Sequence, residues 1–288
     1  MGKIIAICNQ KGGVGKTTTA INLSTFFALE GKKILLIDID PQGNATSGSG
    51  LNKTTIEYTI YDALLDRTKV EDIIKHTDVT NLFIIPSNLN LIGAEVELVS
   101  AIGREFKLKN TLGSIRDTFD LILIDCPPSL GLLTINALTA CDSVLIPIQC
   151  EYYALEGLGQ LTKTLELVRQ NLNPSLQIEG LLLTMADYRT RLTTEVIEEA
   201  RNYFKEKVYD TVIPRNIKLT EAPSFGKPIA LYDMTSIGAQ RYQQLAHEIL
   251  GYKLPQHIEN KEVNKNNVLE GELSSSVSLK EKPTSQPL

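Results

Sequence analysis

Nowhere in the 288 residues is there an uninterrupted apolar run approaching the roughly 18 that a membrane-spanning helix needs. The first residues offer no leader either. Met1-Gly2-Lys3 runs straight into Ile4-Ile5-Ala6-Ile7-Cys8, shorter than the apolar region of a signal peptide and with no cleavage site behind it. Residue 6 is Ala6, where myristoylation of Gly2 would want Ser or Thr. Cysteine is scarce. Cys8, Cys126, Cys141 and Cys150 stand far apart, in or beside apolar runs, which reads as reduced core thiols and fits the cytoplasm. The three histidines, His76, His247 and His257, are scattered, and no pair of residues has metal-ligand spacing, so magnesium is the one metal to expect. An excess of positive charge is also missing: the net charge of −5 excludes a uniformly basic nucleic-acid binder and leaves room for a local basic face.

What is present is an ordinary globular composition, 42% apolar and 22% charged, long enough to bury a core without staples. Short β-branched runs alternate with stretches of helical apolar period, the pattern of a doubly wound, mainly parallel α/β sheet flanked by helices. Strands are expected at Ile4–Cys8, Ile34–Asp38, Leu82–Pro86, Leu121–Asp125, Ser143–Pro147, Ile178–Thr184 and Thr211–Pro214. The clearest helices are Lys16–Glu30, Ala154–Gln170, Thr193–Glu206 and Ser236–Leu250. There is no internal repeat. Residues 1–254 read as one domain. From 255 to 288 the composition turns to Asn, Ser, Lys, Glu and Pro, too polar to offset its ordering entropy, so a disordered tail is expected.

After the first strand comes Lys11-Gly12-Gly13-Val14-Gly15-Lys16-Thr17-Thr18, opening into a helix. Glycines let backbone N–H groups converge on phosphate oxygens, and the helix N-terminus adds partial positive charge. Lys16 would reach the β- and γ-phosphates of ATP, and the Thr17 hydroxyl would bind magnesium, as in a P-loop. The bland alternative is a glycine turn that binds nothing. A second cluster ends the second strand, Asp38-Ile39-Asp40-Pro41-Gln42-Gly43-Asn44, placing two carboxylates at the sheet edge where doubly wound folds bind ligands. Both could instead merely cap the turn. Leu121–Asp125 has the apolar run and terminal aspartate of a Walker B strand, so Asp125 should hold magnesium, directly or through water.

The loop departs from the general P-loop pattern: Gln10 stands at its first glycine, and a second lysine, Lys11, precedes the glycine pair. This Lys-Gly-Gly-x-x-Lys-Thr-Thr form resembles the deviant Walker A motif of the ParA/MinD group of ATPases. Three segments further resemble its ParA/Soj branch: Asp38 to Gly48, Gln149-Cys150-Glu151-Tyr152-Tyr153-Ala154-Leu155-Glu156-Gly157, and Ile213-Pro214-Arg215-Asn216 leading into Glu221-Ala222-Pro223-Ser224. The resemblance covers residues 1 to about 252. It implies a DNA-segregation ATPase whose ATP-bound homodimer sandwiches two nucleotides. In that dimer Lys11 reaches the partner's nucleotide, Asp40 activates water, and Pro214 and Asn216 border the adenine. It also implies a ParB/Spo0J-like centromere-binding partner that stimulates hydrolysis. A membrane-cycling MinD-like or other cargo-positioning ATPase is the rival reading, disfavoured by a tail without a basic amphipathic helix.

The phosphate loop so near the N-terminus leaves no room for a preceding helix-turn-helix. DNA contact would therefore be to phosphates, salt-sensitive and indifferent to sequence. Arg189, Arg191, Arg215 and Lys218 are the candidates, with Lys227 and Arg241 behind them, and the resemblance implies that Arg189 and Lys218 share one face of the dimer. Any one of them except Arg189 could equally be solvated surface charge.

Overall fold

The computed structural model describes residues 2–151 and 158–252. The expected tail, and the expected helix start at residues 154–157, lie outside the described residues. Strands β1 (Lys3–Ile7), β2 (Ile34–Asp38), β3 (Lys75–His76), β4 (Leu82–Ile85), β5 (Leu121–Asp125), β6 (Ser143–Gln149) and β7 (Gln177–Thr184) form one sheet in the order β3-β4-β2-β5-β1-β6-β7. Only the β3–β4 pairing is antiparallel. Every residue of β2 and β5 is buried. A strand covered on both sides has no solvent face to alternate toward, which is why these segments read as unbroken Ile/Leu runs.

The described helices are α1 (Lys16–Leu29), α2 (Asn44–Gly48), α3 (Ile60–Leu64), α4 (Leu91–Glu97), α5 (Lys107–Leu112), α6 (Leu132–Ala140), α7 (Leu158–Asn171), α8 (Arg191–Phe204), α9 (Ile217–Glu221), α10 (Ile229–Tyr232) and α11 (Ile237–Leu250). They cover the sheet from both sides, and the period-2 alternation of the strands sorts the core accordingly. Ile4, Ala6, Leu35, Ile37, Ile122 and Ile124 pack with Leu133, Leu161 and Val196 on one face. Ile5, Ile7, Ile34, Leu36, Leu121 and Leu123 pack with Phe26, Phe27, Tyr242 and Leu245 of α1 and α11 on the other. The Tyr242 hydroxyl pairs with Thr19 at 3.1 Å inside that second layer.

The expected strand at Thr211–Pro214 does not join the sheet. Its chain runs along the edge of β7 with only isolated bridges, Leu181 to Val208 and Ala186 to Pro214. Backbone bonds from Ile213 N–H to Leu183, Ala186 N–H to Ile213 and Arg215 N–H to Ala186, at 2.9, 3.1 and 3.0 Å, tie the segment to β7, but Met185 at φ 54°, between Thr184 and Ala186, breaks the extended run that a continuous ladder needs. At the opposite edge, two-residue β3 was too short to be legible as a strand.

The position of β1 is fixed by a charge lock at its start. Asp142, just before β6, accepts the Ile4 amide at 2.8 Å and two bonds from Arg116 Nη2 at 2.8 and 2.6 Å, while Arg116 Nε donates to the Gly2 carbonyl at 2.9 Å. Asp142→Ala removes the carboxylate's bonds to Ile4 and Arg116 and leaves the largely buried guanidinium without its counter-charge, so urea unfolding is expected to show a loss of about 2 kcal/mol. A loss below about 0.5 kcal/mol would show that the lock contributes only surface-grade pairing.

Candidate functional site

Between β1 and α1 the chain must reverse tightly, and Gly13 and Gly15 do so with φ of 74° and 88°, a left-handed region that side chains rarely adopt. A Cβ built on Gly12 or Gly13 meets no atom within 4 Å, so the loop borders open space. Gly15 caps α1 without any side-chain acceptor, and the helix's first turn carries no acid. Its first N–H groups are thus left for an anion. Lys16 is buried, and its ammonium folds back to donate to the Lys11 carbonyl at 2.9 Å. Burial pulls its pKa down, opposed chiefly by the charge of Asp125.

Asp38 and Asp125 are register partners on neighbouring strands, both fully buried, but they are served differently. Asp38 accepts the Asp40 amide at 3.1 Å and both the amide and hydroxyl of Thr46 at 2.8 Å. Desolvation nevertheless raises its pKa to about 6. Neither oxygen of Asp125 accepts a hydrogen bond of good geometry. Burial and the charge of Asp38 hold its pKa well above the usual carboxylate range, with the nearby Thr17 hydroxyl pulling the other way. A buried carboxylate left open beside a hydroxyl and an ammonium is chemically suited to a divalent cation with its water shell. Asp40, also buried, accepts the Gln42 amide at 2.9 Å.

Lys16, Thr17 and Asp40 line a cavity of about 350 Å³ whose wall also includes Gly12, Gly13, Gly15 and Thr18, while Asp38 and Asp125 lie buried behind it. A second cavity of about 680 Å³ adjoins it, with Pro214 and Asn216 in its wall and Gly15, Thr18 and Met185 shared between the two. Asn216 Oδ1 caps α9 by accepting the Leu219 amide at 3.2 Å. Thr184 and Met185 were missed from sequence. The Thr184 hydroxyl is shared between the carbonyls of Val14, at 2.9 Å, and Ile148, at 3.2 Å, tying the phosphate loop to β6. It ends a strand at the same sheet edge that singles out Asp38 and Asp125, so that rule could have found it. Met185 is held at φ 54°, which nothing in its sequence context signals.

Arg189, Arg191, Arg215, Lys218 and Lys227 are exposed, whereas Arg241 is partly buried and donates from Nη1 to Gln244 at 2.9 Å. The bridge between Ala186 and Pro214 brings the Arg189 loop beside Arg215. Arg189 donates from Nε at 2.8 Å and from Nη2 at 2.6 Å to Asp187, whose pKa falls to about 2 as a result. Arg191 pairs with Glu195 at 2.8 Å, and Lys218 pairs with Glu221 at 3.1 Å while lying over the Tyr232 ring. Among the described residues no helix is long and apolar enough to cross a membrane.

A family model described as an AAA domain matches residues 2–178. The chain is 62% identical over 249 residues to the sporulation initiation inhibitor protein Soj of Bacillus subtilis, covering 86% of this chain and 98% of that protein. It is 53% identical over 255 residues to the chromosome partitioning protein ParA of Myxococcus xanthus, covering 88% and 90%. The chain belongs to the Soj/ParA family of chromosome-partitioning ATPases. Its fold is also that of a cobyrinic acid a,c-diamide synthase from Mycobacterium smegmatis solved with ADP and magnesium, at TM-score 0.77 and 34% identity over 90% of this chain and all of that one. The Soj/ParA membership covers the phosphate loop, both aspartate-ended strands and the segment carrying Pro214 and Asn216.

The open Asp125 carboxylate has a measurable cost. Asp38 and Asp125 bind protons more tightly folded than unfolded, so the metal-free Soj/ParA chain should lose stability as pH rises from about 4, the unfolded carboxylate pKa, through about 6, the folded value for Asp38. Asp125→Asn is expected to raise the thermal midpoint of the nucleotide-free chain near neutral pH and to flatten that slope. It should also abolish stabilisation by magnesium with nucleotide. A variant less stable than the parent at neutral pH would show that Asp125 is satisfied within the apo fold.

Proposed function

We propose that the chain is an ATP- and magnesium-dependent DNA-segregation ATPase, acting in the cytoplasm on nucleoid DNA. The observation that carries this is the buried Asp125 carboxylate, left without a hydrogen-bond partner close to Lys16, Thr17 and Asp40, which line the phosphate-loop cavity. Lys16 turns from the Lys11 carbonyl to the β- and γ-phosphates, and α1 presents its uncapped N–H groups to them. Thr17 and Asp125 hold magnesium, which when bound neutralises charge on the phosphate oxygens. Asp40, held by the Gln42 amide, orients the attacking water. The larger cavity takes the base, with Pro214 and Asn216 in its wall.

Two ATP-bound copies pair face to face, each giving Lys11 to the other's nucleotide. Pairing doubles the surface of Arg189, Arg191, Arg215 and Lys218, which binds double-stranded DNA through phosphates without reading sequence. Hydrolysis, stimulated by a ParB/Spo0J-like partner, separates the copies and releases the DNA. ATP must favour the pair over the single copy for this to work, since equal affinity shifts nothing.

The test is DNA binding, read by fluorescence anisotropy with ATP, ADP and no nucleotide at low and high salt. ATP alone is expected to confer salt-sensitive, sequence-independent binding, lost in Lys16→Ala and Arg189→Glu and prolonged in Asp40→Ala. Asp187→Asn frees Arg189 from an exposed ion pair and should tighten binding by about two- to fivefold. Absence of DNA binding in every nucleotide state would sink the DNA assignment while leaving the nucleotide site intact.

A further inference from the structure

Lys11 is held at three points within its own chain. Its amide donates to Asn9 Oδ1 at 3.0 Å, and Asn9 in turn donates to the Pro147 carbonyl of β6 at 2.7 Å. Its carbonyl accepts the Lys16 ammonium at 2.9 Å. Its own ammonium pairs with Glu151 Oε2 at 3.0 Å. The other oxygen of that carboxylate accepts Gln149 Nε2 at 2.5 Å, so Glu151 is oriented from the end of β6 rather than left to swing. Gln149 also lines the larger cavity.

We propose that Glu151 is a positioning residue for Lys11: it keeps the lysine on its own subunit until nucleotide and a second copy of this chain compete for it. The inference rests on the ATP-paired reading above. Phosphate entering the loop draws the Lys16 ammonium off the Lys11 carbonyl and so removes one of the three ties. The Asn9 bond restrains only the backbone. Glu151 is then the remaining hold on the Lys11 ammonium, and a partner's nucleotide must displace it before the lysine can cross.

The pair is half exposed on both sides, 41% for Lys11 and 48% for Glu151, so it is a weak hold. Weakness suits the role. A buried pair would lock the lysine at home, whereas an exposed one sets a threshold that nucleotide binding can overcome. Two such holds break per dimer, and exposed pairs of this kind together shift an association constant by about two- to thirtyfold.

Sedimentation of the full chain with a non-hydrolysable ATP analogue and magnesium tests this. Glu151→Gln should pair at about two- to thirtyfold lower protein concentration than the wild type, and Glu151→Asp, which keeps the charge, should fall between the two. On the nucleotide-free chain, lysine-selective acylation followed by peptide mass spectrometry should label Lys11 faster in Glu151→Gln, a change that a general loosening would spread over other lysines as well. A wild type that pairs while Glu151→Gln pairs no more readily, or less, overturns the role of Glu151 alone. Labelling of Lys11 unchanged by the substitution does the same. A wild type that stays monomeric with the analogue overturns the dimer reading, and the hold on Lys11 with it.

Discussion

Two carboxylates end neighbouring buried strands, Asp38 on β2 and Asp125 on β5, in direct register and a short reach from the buried ammonium of Lys16. Placing two like charges side by side out of water is costly, and the fold answers it unequally. Asp38 is surrounded by donors, three of them from Thr46 and Asp40, so it serves as an anchor that bends the chain after β2 into α2. Asp125 is left without them, and Lys16 offsets only part of the charge. A site built this way is unfinished by itself. The nearby phosphate loop supplies the other half of the imbalance, uncapped N–H groups and an ammonium that has only a carbonyl to bond. Anion and cation together would settle both deficits, so affinity for a metal–polyphosphate follows from the same burial that makes the empty site costly.

That imbalance was legible from sequence because it sits in local patterns. A β-branched run closed by an aspartate, and a glycine loop followed by Lys-Thr-Thr, each encode a strand end or a helix start within about ten residues. The parallel sheet followed from the same unbroken apolar runs, since burial on both faces removes alternation. What was hidden depended on distant partners. Thr184 acts on the phosphate loop only because β7 lies two places from β1, and no local pattern announces the left-handed backbone of Met185 just before the Ala186 bridge to Pro214. The segment 211–214 failed as a strand for a related reason: propensity favoured it, but the left-handed Met185 opposite it interrupts the ladder along β7.

The ties between the two cavities run through backbone as much as through side chains. Gly226, in the chain that follows Asn216, lies so close to α2 that a Cβ on it would stand 3.3 Å from both Gly50 Cα and the Ser47 carbonyl. On α2 itself, a Cβ on Gly48 would come within 2.6 Å of Ile21 Cδ1 in α1. The chain that carries Asp38 and Asp40 therefore packs without a spacer against both the phosphate helix and the loop following Asn216. Packed interiors of this kind transmit displacement instead of absorbing it. A shift at either aspartate is felt at the wall of the larger cavity.

The surface follows a different logic from the core. Lys11, Arg189, Arg191 and Lys218 each have an acidic partner within their own chain, at Glu151, Asp187, Glu195 and Glu221. Exposed pairs contribute about 0–1 kcal/mol apiece, too little to justify them as stabilisers. Their consequence is competitive. Each cation has a resident acid that an incoming phosphate would have to displace, which would lower the affinity of a single copy for polyanions under the DNA binding proposed above. Where binding depends on several such displacements at once, small individual penalties multiply, so under the proposed pairing a surface too weak in one copy would become adequate in two. Residue pairing that adds little to stability would, under the proposed DNA binding, set how sharply the bound and free states are separated.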